Sequence, residues 1–348
     1  MAVDGDIGQQ AIDDHALANR ITAKPVYGDA DREALLALDA TYHFSAPITP
    51  KNALLTLNTV RGQLFGRRNG SVVVIPEGRA EWTGWFELPH RDVGWQAVLN
   101  TGKVIEAVRP DVLLCVEVED RLALHRFNEQ VLGALYDLRY PHAMLIDGND
   151  VRGIDVGILS RYPIVGMRSH IDDVDGDKRI FSRDCPVYVL RLPSGSQLVV
   201  CPNHFKSKRG GNDGAAQAQR LLQGSRAAQI SREAEADISP FVLVGGDLND
   251  TPDSPAVQPL LAGGWQDVQL HPDYPTDRPG TFGTGLAGNK IDYLIMSPAL
   301  KTRLVRTGIE RRGSYHPNLW EAFHGVEKHT EASDHHCVWA DFDLAEGN

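Results

Sequence analysis
Short apolar runs alternate with longer amphipathic stretches from Lys51 onward, and the two periods predict different elements. Runs of a few residues rich in Val, Ile and Leu are too short for ordinary helices and predict strands. They fall at Ala53–Asn58, Ser71–Ile75, Asp111–Val116, Ala143–Ile146, Ile154–Leu159, Pro186–Leu192, Gln197–Cys201, Phe241–Gly245, Ile291–Met296 and His336–Phe342. Helical spacing joins Val98, Val104, Ile105 and Val108 ahead of Pro110. A second set, Leu122, Leu124, Phe127, Val131, Leu132 and Leu135, follows Glu119, and a third helix is expected from about Ala215 to Ala236. Strands mixed with helices throughout predict an α/β fold in one domain. The polar, acidic stretch 1–50 reads as an N-terminal extension or edge element, and 51–348 as the main domain. Phe65 to Val93, with its tryptophans and turn residues, reads as a long insertion loop.

A polar cluster stands at one end of five of these strands. Asp111–Val116 runs into Glu117; Gln197–Cys201 runs through Pro202 into Asn203 and His204; Phe241–Gly246 runs into Asp247 and Asn249. Asp292 precedes Tyr293–Met296, and Asp334 and His335 precede His336–Phe342. Antiparallel neighbours place the end of one strand beside the start of the next, so these groups can meet at one rim of a sheet. Crowded carboxylates repel, and burying them unpaired costs several kcal/mol each. A hard divalent cation relieves that repulsion. Oxygen donors suit magnesium, manganese or calcium better than zinc. Histidines beside them suit proton transfer or phosphate contact near neutral pH. Together these groups fit hydrolysis of a phosphate ester.

Composition narrows the picture. The chain has 348 residues, 42% of them apolar and 23% charged, as in globular proteins. No apolar run is long enough to cross a membrane. Acidic residues outnumber basic ones, 46 to 35, which argues against a broad polyanion-binding surface. Local basic loops remain: Lys206, Lys208 and Arg209 with Gly210 and Gly211 after His204, and Arg61, Arg67 and Arg68 after the first strand. Cys115, Cys185, Cys201 and Cys337 form no C-x-x-C pair and read as buried thiols. The first twenty residues lack an apolar segment, so a cytoplasmic chain is expected. Trp82, Trp85 and Trp95 read as packing residues, with base stacking the alternative.

The ordered motifs resemble the endonuclease/exonuclease/phosphatase superfamily, which includes pancreatic deoxyribonuclease. They are Pro110-Asp-Val-Leu-Leu-Cys-Val-Glu117-Val-Glu119, Arg152-Gly-Ile-Asp155-Val-Gly-Ile-Leu-Ser-Arg161, Asn203-His204-Phe-Lys206, Gly246-Asp247-Leu-Asn249, Ile291-Asp292-Tyr and Ser333-Asp334-His335. The resemblance spans roughly Leu55 to Leu344. It implies a four-layer sandwich of two mixed β-sheets flanked by helices, and Mg²⁺ or Mn²⁺ as cofactor. It implies Glu117 as principal metal ligand, with Asn58 and Asp334 beside it. Asp247 would orient or deprotonate water, and Asn249 would hold that water or a phosphate oxygen. Asp292 would align His335, which would hold the phosphoryl oxygen. His204 would assist the leaving group, with either Asp155 or Glu119 supporting it. Arg183, Asn203 and Lys206 would contact substrate. The expected substrate is DNA, cut with little sequence preference; the alternative is a phospholipid, inositol phosphate or other small ester.

Overall fold
The computed structural model describes residues 5–46, 55–87, 95–150, 152–208 and 214–344. Two compact units divide the chain, Met1–Val93 and Gly94–Asn348. The expected boundary lay instead at residue 50. In the N-terminal unit the helices Gly5–Thr22 and Asp29–Tyr42 carry Ala11, Ala18, Ile21, Leu35, Leu38 and Tyr42 into a core. That core also holds Leu55, Phe65, Trp82 and Phe86. The stretch read as an extension is therefore helical, because its few apolar residues fall on helical spacing. Likewise the segment read as an insertion loop contains the strand pair Phe65–Arg68 and Ser71–Val74 and the strand Thr83–Glu87, which pairs with Thr56–Arg61. Trp82 is fully buried, its indole N–H donating to Tyr27 Oη at 2.7 Å, whereas Trp85 and Trp95 are exposed. Residues 51–54, where the first strand was expected to begin, lie outside the described residues, as do Pro47 and Pro50.

The second unit is built in four layers. Among the described residues, a six-stranded sheet runs in the order Gln266–Asp267, Asp292–Met296, Val242–Asp247, Gln197–His204, Val187–Arg191 and Ile164–Arg168. A three-stranded sheet has the order Val112–Val118, Asp155–Ser160 and His142–Leu145. Leu304–Glu310 pairs with Cys337–Phe342. Side chains alternate across each strand, and here both faces are buried. Tyr188, Leu190, Val200, Leu243 and Met296 meet Ile158, Val112 and Leu114 between the sheets. The opposite face, with Val187, Val189, Val199, Val242 and Val244, packs on Ala227, Ile230 and Ala234 of the helix Gly214–Asp237. Outside the three-stranded sheet, Ile105 of the helix Trp95–Val108 and the segment holding Leu124 and Leu132 cover Leu145 and Leu159. The small edge strands 164–168 and 304–310 escaped the sequence reading, because Arg168 and Arg306 interrupt their apolar character.

Candidate active site
Three strands set the core of the site by register. Gln197–His204 runs parallel to Val242–Asp247, with His204 opposite Asp247. Val242–Asp247 runs antiparallel to Asp292–Met296, with Asp247 opposite Asp292. His204, Asp247 and Asp292 thus form one row across three neighbouring strands. Each shares strand parity with residues that face the other sheet, Val200, Leu243 and Met296. The tight packing behind the row requires Gly246. Its φ is +125°, and a Cβ there would lie 2.0 Å from the Asn203 carbonyl oxygen.

His335 joins the row from the other side. Its Nδ1–H donates to Asp292, at 2.9 Å from Oδ2 and 3.1 Å from Oδ1. Thr281 donates its hydroxyl to Asp292 Oδ2 at 2.7 Å and accepts from the Asp292 amide at 2.9 Å. The Phe282 ring lies 5.0 Å from the His335 ring, centroid to centroid. Thr281 and Phe282 were not singled out from sequence. Asn249 closes the other side of Asp247, giving its amide N–H to Oδ1 at 2.7 Å and its side-chain Nδ2 to Oδ2 at 2.8 Å. One donor atom each from Asp247, Asp292 and His335 lies within 4.8 Å of the others, which makes an acidic cluster able to hold a cation.

Charge follows from this crowding. Burial, with the Asp292 charge behind it, pushes the Asp247 carboxyl well above the usual range. Burial alone would lower His335, but the hydrogen bond and charge of Asp292 outweigh it and raise its pKa to about 9. Burial, reinforced by the Arg183 and Arg152 charges, lowers His204 to about 2. One imidazole is therefore cationic at neutral pH and the other neutral. His204 Nε2 stands 3.6 Å from Asp247 Oδ2, and its buried Nδ1 has no hydrogen-bond partner among the described residues.

Glu117 reaches this rim through a bulge. Val116 pairs with Val156 and Val118 with Asp155, leaving Glu117 as the extra residue, with φ at +59°. Plain alternation would send Glu117 the way of Leu113 and Cys115, toward the outer helices; a bulge re-aims a side chain. Its charge acts on both Arg183 and Asp247. Asp334 is exposed beside His335, its backbone carbonyl accepting from the Gly283 amide at 2.9 Å.

Several expected residues sit differently. The Asp155 carboxylate accepts from the Gly148 amide at 2.8 Å rather than from His204, and burial raises its pKa to about 6. Arg183 is 2% exposed, with Nε 2.8 Å from Asp150 Oδ2 and Nη1 donating to the Phe205 carbonyl at 3.2 Å. Asn203 is fully buried on the opposite strand face from His204, and its Nδ2 donates to the Cys201 carbonyl. The Lys206 side chain is exposed, and its amide donates to Gln223 Oε1 at 2.8 Å. Lys208 lies 2.5 Å from Asp250, and Arg209, Gly210 and Gly211 fall outside the described residues. Asn58 stands in the N-terminal unit, where its side-chain amide donates to Glu87.

A family model for the endonuclease/exonuclease/phosphatase family matches residues 93–335, well over half of the chain. The chain belongs to that family. The match coincides with the second compact unit and takes in each of the motifs from Glu117 to His335. Solved structures agree in fold. An endonuclease/exonuclease/phosphatase family protein from Bacteroides thetaiotaomicron is 18% identical with a TM-score of 0.53, over 72% of this chain and 89% of that one. A beta toxin from Staphylococcus aureus is 18% identical with a TM-score of 0.51, over 73% and 93%. The human Nocturnin catalytic domain, solved with a bound sulfate anion, is 15% identical with a TM-score of 0.50, over 72% and 87%. No curated protein sequence matches the chain. Members of the family are hydrolases of phosphodiesters and other phosphate esters, and generally use divalent metals. Among the described residues, no helix is long and apolar enough to cross a membrane.

Proposed function
We propose that the chain is a divalent-cation-dependent phosphodiesterase acting on DNA with little sequence preference. The row His204–Asp247–Asp292, with His335 hydrogen-bonded to Asp292, carries this reading. The donor set fits a hard cation: crowded carboxylate oxygens, with burial first and the Asp292 charge second raising Asp247. Glu117, whose charge reaches Asp247, and Asp334, beside His335, would hold Mg²⁺ or Mn²⁺ against the carboxylate side of this cluster, with His335 Nδ1 engaged by Asp292. A bound cation there supplies charge neutralisation at the phosphate. Asp247, held by both Asn249 N–H groups, takes the proton of the attacking water. His335, cationic at neutral pH, donates from Nε2 to a phosphoryl oxygen as charge builds. Neutral His204 stands ready to hydrogen-bond the phosphate or the departing oxygen. Arg183 adds positive potential from below, and Lys206 faces the substrate from the loop.

One observation favours a small phosphate ester instead: Lys208 is tied to Asp250, a carboxylate it shares with buried Arg220, rather than extended toward a polymer. A digestion panel separates the two readings. Plasmid, single-stranded DNA, RNA, sphingomyelin and inositol phosphates are each incubated with Mg²⁺ or Mn²⁺ and with EDTA. Cleavage of DNA that stops in EDTA and returns with metal is expected. Full activity in chelator would remove the metal assignment, and turnover of small esters alone would install the second reading. His335→Ala and Asp247→Asn should each lower kcat by about 10²–10⁴-fold with an unchanged circular dichroism spectrum.

A further inference from the structure
The strand that carries Asp292 is supported unequally on its two flanks. Val242–Asp247 pairs with it from Met296 back to Asp292, whereas Gln266–Asp267 reaches only Met296 and Ile295. Past the end of that short strand, side chains meet the backbone instead. Asp267 Oδ1 accepts from the Leu294 amide at 3.1 Å, and Lys290 Nζ donates to the Asp292 carbonyl. The two side chains form an ion pair, with Nζ 2.8 Å from Asp267 Oδ2, and each is only 1% exposed. An ammonium has three donors. Those of Lys290 go to Asp267, to the Asp292 carbonyl and toward the Tyr293 ring, whose centroid lies 3.7 Å from Nζ. That ring is fixed in turn by its hydroxyl, which donates to the Asp250 carbonyl at 2.7 Å. The Asp292 amide is taken by Thr281 Oγ1 at 2.9 Å, so both backbone groups of Asp292 are held by side chains.

A buried ion pair is weak evidence of a stabilising device. Desolvation of the two charges offsets their attraction, and an uncharged pair of similar volume often serves the fold as well. The contacts of this pair are geometric: they continue the support of a strand past the end of its two-residue neighbour, at the residue whose carboxylate grips His335. We infer that Lys290 and Asp267 are positioning residues for catalysis: they lock the Asp292 backbone beyond the end of Gln266–Asp267 and so keep the His335 imidazole aimed at the phosphoryl oxygen. Sealed beneath the row, neither touches substrate. The inference rests on the phosphodiesterase reading above and adds that the aim of Asp292 and His335 depends on an ion pair outside the site. A misplacement of about 1 Å at reacting groups costs on the order of 10²-fold in rate.

The test compares Lys290→Met, the double variant Lys290→Met with Asp267→Asn, and Asn128→Ala as a control for lost stability. Lys290→Met alone strands a buried carboxylate and should melt well below wild type. The double variant removes both charges, keeps an acceptor for the Leu294 amide, and should recover most of that loss. Asn128 is buried in the helical segment outside the three-stranded sheet, where its side chain donates to the Tyr140 carbonyl and accepts from the Tyr140 amide, each at 2.9 Å. Rates are measured on plasmid DNA and on bis(p-nitrophenyl) phosphate with Mn²⁺, well below each melting temperature. In Lys290→Met and in the double variant kcat should fall about tenfold or more, with KM within about twofold of wild type, because bound substrate meets a misaimed group. Asn128→Ala should melt lower and keep kcat within about twofold. A double variant that melts and turns over like wild type would overturn the inference, since the pair would then serve the fold alone. So would a rise in KM with kcat unchanged, a kcat loss in Asn128→Ala equal to that of Lys290→Met, or a double variant without a cooperative melt. A wild-type protein that cleaves neither substrate fails the functional reading itself, a result visible before any variant is made.

Discussion

Glu117 and Asn249 hold left-handed backbone angles, φ +59° and +53°, although neither is glycine. Such conformations cost of order 1–3 kcal/mol each and persist where surrounding structure over-determines them. At Asn249 the compensation is visible: two N–H groups of that residue grip Asp247. At Glu117 it is the bulge that turns a carboxylate toward the rim. Gly246 is the third special residue. Its φ of +125° and the 2.0 Å approach of the Asn203 carbonyl to a built Cβ leave no room for a side chain. Gly246→Ala should destabilise the protein by at least about 2 kcal/mol through backbone strain and overpacking. Chemical denaturation with metal removed reads this directly. A shift in midpoint too small to resolve would mean that the two strands separate freely at this point.

Element by element, the sequence displayed the strands whose two faces are both buried, because continuous Val, Ile and Leu runs cannot be mistaken for surface. Polar groups at their ends marked one rim, and the register of Asp247 against His204 and Asp292 bears out that expectation. Hidden from sequence were the contacts made by loops. Thr281 and Phe282 reach Asp292 and His335 across the fold, and the pairing of Asp155 with Gly148 depends on a turn that no periodicity signals. His336 shows how such a loop is anchored. Its Nε2–H donates to the Gly283 carbonyl at 3.0 Å, which leaves Nδ1 to accept from Ser314 Oγ at 2.9 Å. Burial, with the Arg311 charge, lowers its pKa to about 4. A folded pKa below the unfolded value of about 6.5 contributes stability above pH 6.5, and that stability is lost as pH falls through 4. His336→Asn removes the titration. The stability advantage of wild type over this variant should therefore shrink by up to about 3 kcal/mol between pH 7 and pH 4, measured as paired melting curves. Parallel curves across that range would show that His336 charges without strain.

At the scale of the whole molecule, the second unit holds a complete architecture by itself. Its two sheets share one apolar interior, each outer face is covered by helix, and the family match begins where this unit begins. The N-terminal unit has a separate core, built on Leu35, Phe65, Trp82 and Phe86. Helical spacing in the first fifty residues was hard to read because acidic residues interrupt it, and the short strands of 65–87 lay among turn residues; hence the expected division at residue 50 differs from that of the compact units. A chain with two cores should unfold as two parts. Residues 94–348 expressed alone should fold, giving a cooperative melt and dispersed amide resonances. A fragment of more than 250 residues with its own interior has the buried area to do so without staples. If the fragment instead shows retained helical signal with no cooperative transition, the second core does not stand by itself, and the two units form one folding system.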